Sequence, residues 1–552
     1  MHHFKILLPL IAAALLSLLN SSCIKEPYYL VDNSARLAFS QDTVTFDTVF
    51  ATMGTATRHV KVYNNYDDAI MLNAVTLLHG KMSRFRINVD GDTSFTAHDV
   101  EIAAHDSIFI FIQANINPND QLSPYLVTDS IVFTFNNHSQ FLPLTAYGRN
   151  AVYHLPTHWA YSTYDNEYKV KDTLWYHYSV IDCQNWDHTR PHVIIGFAVV
   201  DSLDVLHLSS GDELYFGTDS YLWVYDGGTL DVRGSRERPV LFTSIRHDGY
   251  YDTLPGQWGY IWLSLGSRQN YIDFARIENG TAGIVADTNV DGLPTLTISN
   301  SVIENHSYSG IIGQGSYIVG DNLLVDNCGM TLLSLQYGGR YRFSNSTFAN
   351  YWRYGSRSLP SVVLNNHYDY DASTVFPRDL VEASFDNCII YGTYLGNDST
   401  GEVLLDYNDG AQFNFFFHYC LLRTYSIDST EVPQWHTSFN RDPLFVDTRC
   451  RDFHLGEESP ARSTGDPAQS STVDLDGNLR SNPPSMGAYE YRPVETTKRS
   501  SYKRNHNNNT INHQQCTTTS ADLSTRSLRP TRSSTATGWA TFLKSPSTHI
   551  HR

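Results

Sequence analysis

The densest group of side chains able to do chemistry in this sequence is cationic and aromatic: Arg340, Tyr341, Arg342, Trp352, Arg353, Tyr354 and Arg357. An arginine grips a sugar carboxylate through two parallel hydrogen bonds, a Tyr or Trp ring stacks on the sugar, and Tyr or Arg beside that carboxylate can assist proton removal. That would be lyase chemistry on a uronate. The same residues also fit a solvent-facing strand, because Arg340 and Arg342 alternate about Tyr341 and arginine stems cover apolar surface. The group contains no identifiable base. Trp258, Tyr260 and Trp262 alternate along a second stretch and suit either stacking on sugar rings or burial. A third pattern, Asp287-Thr-Asn289-Val-Asp291-Gly292, has the ligand spacing that opens a calcium loop, but Ile298 stands where the bidentate Glu belongs. A turn is the simpler expectation there; no cofactor is required, and calcium is the one metal the pattern would take. Hydrolysis would need two or three converging carboxylates; Asp321, Asp326, Glu382 and Asp386 are available, and nothing in the sequence selects among them.

Whatever positions these residues is repetitive. Ile277, Ile303, Val325, Phe348, Ile390 and Leu422 stand at spacings of 26, 22, 23, 42 and 32 residues. Three residues before them come Phe274, Asn300, Asn322, Asn345, Asn387 and Tyr419; two after them come Asn279, Asn305, Asn327, Asn350, Gly392 and Thr424. A repeat of about 22 residues built from short strands predicts the turns of a parallel β-solenoid. Apolar anchors would stack into a core at about 4.8 Å per turn, and Asn would occupy left-handed corners and bond its neighbour in the next turn. The two longer spacings predict insertions. With these rows the chain resembles the right-handed parallel β-helix proteins of the pectin-lyase-like superfamily. That resemblance implies an architecture rather than one activity, since the fold hosts lyases, hydrolases, adhesins and spacers, and some of its lyases use calcium to neutralise a uronate.

The remainder divides by composition. His2, His3 and Lys5 precede an apolar run from Ile6 to Leu19 that ends at Asn20-Ser-Ser-Cys23, which resembles a bacterial lipoprotein signal (1–23) with Cys23 as the lipidated residue. An ordinary secreted protein with a buried Cys is the other reading. Residues 24–35 read as a tether. From 36 to 149, period-two alternation such as Phe85, Ile87, Val89 and Ile108, Ile110, Ile112, broken by polar turns, predicts an antiparallel β-sandwich that resembles a bacterial immunoglobulin-like domain. Residues 150–192 read as an aromatic-rich linker, 193–440 as the β-helix, and 441–492 as its closing segment. The last rests on Asp442-Pro-Leu-Phe-Val-Asp, Asp452-Phe-His-Leu, Ser459-Pro-Ala, Asp474-x-Asp-Gly and Met486-Gly-Ala-Tyr-Glu, which resemble the closing segment of many bacterial β-helix proteins and would seal the coil's apolar end. Residues 493–552 read as a disordered basic tail or a shifted reading frame.

Cys388 and Cys420 fall in the same small-residue slot as Ser301 and Ser346, so packing explains them, with a cross-turn disulfide as the alternative. A net charge of −18 over 552 residues excludes nucleic acid as a natural partner. The expectation is an all-β, exported lipoprotein, a sandwich followed by a right-handed parallel β-helix. A lipid anchor would hold it to the outer membrane at the cell surface or periplasmic face, binding a polysaccharide or other surface polymer. Two alternatives are a lyase or hydrolase acting on uronate polymers and a structural stalk.

Overall fold

The computed structural model describes residues 28–493 apart from 51–56, 116–124, 166–170, 247–250, 289–291, 372–373, 395–399 and 431. The chain divides between Asn150 and Ala151 into two compact units. In the first, a four-stranded sheet and a five-stranded sheet, antiparallel except where Val44–Phe50 runs beside His138–Arg149, turn apolar alternate residues into one core. Val60, Phe85, Ile87, Ile110, Ile112 and Phe133 lie in it, as the alternation requires.

The second unit is built from three long sheets whose strands are parallel apart from the opening hairpin of sheet III. Sheet I has eight strands, from Val205–Ser209 to Phe413–His418; sheet II has eleven, from Val152–His154 to Ser438–Phe439; sheet III has ten, from His158–Asp165 to Val403–Asp406. The chain visits them in rotation, and each strand pairs with its counterpart one turn later, which is consistent with a β-helix. The six anchors pair in register down sheet II, and Ile272, Ile298, Gly320, Phe343, Phe385 and Phe417 do so down sheet I. All but Gly320 lie, with inward residues of sheet III such as Ile284, Ile311 and Leu333, in the inner apolar core of the coil.

Corners follow from backbone conformation. Asn300, Asn322, Asn345 and Asn387 have φ between 46° and 58°, the left-handed region that Asn tolerates best after Gly. Asn322 donates to Asn300 at 2.8 Å and Asn387 to Asn345 at 3.3 Å; the second row repeats this, Asn305 donating to Asn279 at 2.6 Å and Asn327 to Asn305 at 2.8 Å. Cys388 and Cys420 stack beside the first row as buried free thiols, not as a disulfide.

Two expectations change. Residues 150–192 do not form a linker: Val152–His154 opens sheet II, His158–Asp165 and Lys171–Val180 form the hairpin that opens sheet III, and Trp186 packs on the coil core while stacking on His192 at 3.5 Å. The closing segment does not seal the coil's end either. Ile427, Val432 and Trp435 do that, Trp435 lying against Phe415 and Phe417 of the last strand of sheet I. The segment turns back along the outer flank of sheet II. Phe453, Leu455, Leu475, Met486 and Ala488 cover the outward Leu324, Ala349, Ile389 and Leu421. Arg236, Asn322, Thr347 and Asn387 bond it at four different turns of the coil. The reason is apolar area: sheet II carries hydrophobic residues on both faces, and the outer ones need cover.

Candidate functional site

The sequence-level cationic group does not converge. Arg340 and Arg342 stand on the outer face of sheet I and share Glu382, which Arg342 grips with two bonds of 2.8 Å. This bidentate pair holds Glu382 below, and Arg342 above, their ordinary values. Tyr341, between them, is fully buried and donates to the Gly338 carbonyl. Arg353 bonds the carbonyls of Thr448 and Arg449 in the closing segment, Tyr354 packs on Trp352 and donates to the Thr253 carbonyl, and Arg357 is buried against Glu402. Trp258 is also core, 1% exposed and stacked on Phe216. Cys23, Asn289 and Asp291 lie outside the described residues.

Two candidates picked for different reasons do meet. Trp262, stacked on Trp223 at 4.9 Å, donates its indole N–H to Asp287 at 3.0 Å on the outer face of sheet III. Burial pushes Asp287 up to about 6, against the pull of the Trp262 bond and a backbone N–H from Leu265. Asp287 heads a row. One polar residue follows the apolar end of each successive strand of this sheet, at Asp287, Gln314, Gln336, Asn365 and Asp406; the register pairs Gln314 with Gln336 and Asn365 with Asp406. Gln314 is buried, with no partner for its side-chain N–H among the described residues. Gln336 donates to Ser334 at 2.7 Å, and Asn365 to Asp406 at 2.8 Å.

A hairpin rises beside the far end of the row, His367–Asp371 pairing with Thr374–Pro377. It accounts for part of the 42-residue spacing. Asn365 fixes its root by accepting from the backbone N–H of His367 and of Tyr337, and Asn366 ties it to the carbonyls of Asn408, Ala411 and Gln412. Tyr368 faces Phe376 across the hairpin and meets the Tyr337 ring edge-on at 5.3 Å. Burial pushes the Tyr337 hydroxyl up to about 12. His367 Nε2 lies 3.7 Å from Asp369 and 3.8 Å from Asp406, both of which are at least half exposed. Arg378, just past the hairpin, reaches Thr288 at 3.3 Å.

Asp287, Gln314 and Asn365 are buried, so the accessible members of the row are Gln336 and Asp406. Beside rings with polar tips they offer what a sugar chain uses, donors and acceptors for hydroxyls and flat faces for its C–H surfaces. From Asp287 to Asp406 the row takes four strand steps, about 19 Å. That is too far for these two acids to share one glycosidic bond, where carboxyl groups sit about 5 to 9.5 Å apart. Among the described residues no group of three or more His, Cys, Asp or Glu side chains is placed to hold a metal ion, and none of the helices is long and apolar enough to cross a membrane. A shallow hollow of about 380 Å³ on sheet I is occupied by its own contacts: Arg233 lies 3.8 Å over the Tyr271 ring and bonds Asp231.

No family model matches this chain, and no curated protein matches it. Among solved structures it is similar to a family 123 glycoside hydrolase from Clostridium perfringens, at 9% identity over 24% of this chain and 39% of that one, with a TM-score of 0.14. It is also similar to a chaperone–tip adhesion subunit complex of the archaic Csu pili of Acinetobacter baumannii, at 14% identity over 26% of this chain and 71% of that one, again with a TM-score of 0.14. Likenesses at this level carry no weight for fold or activity.

The polar row escaped sequence reading because its members differ in type. The signal was positional: each closes a run, Ile-Val-Ala-Asp287, Ile-Ile-Gly-Gln314, Leu-Ser-Leu-Gln336, Val-Val-Leu-Asn365 and Val-Leu-Leu-Asp406.

Proposed function

We propose that this protein binds a neutral glycan strand along the outer flank of sheet III. The observation that carries the reading is the unbroken row Asp287, Gln314, Gln336, Asn365 and Asp406 beside Trp262, Tyr337 and Tyr368. A neutral chain suits it better than a uronate polymer, because the exposed Asp369 and Asp406 at the hairpin outnumber Arg378 beside it, and Arg340 and Arg342 are engaged on sheet I by Glu382. In the same reading the coil is a right-handed, pectin-lyase-like β-helix, residues 36–149 are an immunoglobulin-like sandwich, and Cys23 carries a lipid anchor at the bacterial outer membrane. Loss of acyl labelling in Cys23→Ala checks the anchor.

Titration calorimetry against neutral and uronate oligosaccharides tests the site. Gln336→Ala should weaken neutral-glycan binding by about 1 kcal/mol, roughly fivefold, and Tyr368→Ala by more. Wild-type affinity in both variants, or tighter binding of uronates, would sink the proposal. One observation favours a hydrolase as the second reading: Asp369 and Asp406 both lie against one imidazole nitrogen, so their facing oxygens are at most about 7.5 Å apart, within the carboxylate spacing of glycosidases. Reducing-end release that disappears in both Asp369→Asn and Asp406→Asn would establish it.

A further inference from the structure

Between sheet II and the segment laid along it lies a group of charges that the sheet III flank does not use. Glu278, Glu304 and Asp326 are in register on successive strands, so three carboxylates stand one above another. Two arginines answer two of them. Arg276 bonds Glu278 at 2.7 Å and pairs with Glu304, and Arg451, from the turn before Asp452–Leu455, reaches Glu304 at 2.8 Å. Asp326 is left over. It is fully buried, and neither of its carboxylate oxygens has a hydrogen-bond partner among the described residues. With two glutamates already matched by two arginines, an ionised Asp326 would add an excess charge in a dry place, far costlier there than the neutral acid. Burial accordingly pushes it up to about 8; Arg451 and Arg276 oppose that shift and Glu304 adds to it.

We propose that Asp326 makes the hold of residues 441–492 on sheet II pH-dependent, the protonated acid keeping the segment closed and the carboxylate favouring a state in which the segment lifts and water reaches it. The neighbours from every side leave this role to Asp326. His306, on the strand of Glu304, is pushed down to about 4 by burial, and His454, in the closing segment, is held near 10 by bonds to Asp452 and Asp476. Burial raises the Tyr489 hydroxyl, packed over the group, and the Cys328 thiol well above neutrality. In the closed form none of these four changes charge between pH 5 and 8. The closed form keeps a proton that the opened form releases. Opening is therefore favoured by up to tenfold per pH unit between an ordinary Asp value of about 4 and the closed-state value of about 8, and by no more above it.

Hydrogen exchange on the full chain reads this directly. The reporters are the amides of Asp466, Gly487 and Ala488, which donate across to Asn387 and Thr347 of the coil. After correction for intrinsic rates, their protection should fall by up to tenfold per pH unit from pH 5 to 8, while amides of sheet III keep theirs. In Asp326→Asn, which has the same shape and no charge, protection should be independent of pH. Constant protection in the wild type, a slope that survives in Asp326→Asn, or a parallel fall in sheet III would each overturn the proposal.

Discussion

The outer flanks of sheets II and III belong to the same coil, yet one is covered by a closing segment of the protein's own chain and the other stands beside a hairpin with half-exposed acids at its root. The difference lies in the outward residues. On sheet II they include the apolar Leu324, Ala349, Ile389 and Leu421, for which the closing segment supplies the apolar partners that water cannot, beside the charged Glu278, Glu304 and Asp326 that it covers with Arg451. At the far end of sheet III they include Gln336 and Asp406, which hydrogen-bond to neighbours or to solvent and need no cover. Inward positions have no such freedom, because each is stacked between identical slots in the turns above and below. A solenoid thus repeats its core and differentiates its flanks.

The strongest way to break this contrast is at a position common to both flanks. Phe348 is fully buried on the coil axis, between Val325 and Ile390 in register and edge-on to Phe343 and Phe385. Phe348→Asp should destabilise the coil by more than about 4 kcal/mol, since it buries an unpaired charge where a ring was packed. Thermal melting followed by circular dichroism checks it; an unchanged transition would mean that the anchors do not stack. By contrast, Gln336→Ala and Tyr368→Ala on the open flank should leave melting within about 0.5 kcal/mol of wild type, so any loss of glycan affinity in them reports binding and not folding.

The inner coil was legible in the sequence because stacking forces every turn to repeat. Six apolar anchors and two Asn rows at matched offsets suffice to give the register of sheet II. Outward features obey no such rule. The five members of the polar row share a position but no chemistry, and nothing local distinguishes Asp326, buried and unpaired, from Asp321, whose carboxylate accepts from Ser344 and Asn345. The closing motifs identified a segment without showing where it lies, because covering a flank and plugging an end both ask for apolar residues. Its place follows from which surface lacks cover, and that is a property of the folded coil.

The smallest effect expected is also the one that separates the two candidate faces. Arg342 and Glu382 form a well-aligned bidentate pair, but their side chains are 49% and 24% exposed, so solvent screens most of their attraction. Such a pair is worth about 0 to 1 kcal/mol. Glu382 also keeps Arg340 at 3.9 Å when Arg342 is removed. Arg342→Ala should therefore cost less than about 1 kcal/mol of stability, and the difference should shrink further at high salt, where the screening length falls to roughly 3 Å. Its glycan affinity should match the wild type. A tenfold weakening of binding in this variant, with melting unchanged, would move the ligand to sheet I and make the row on sheet III an ordinary wetted edge.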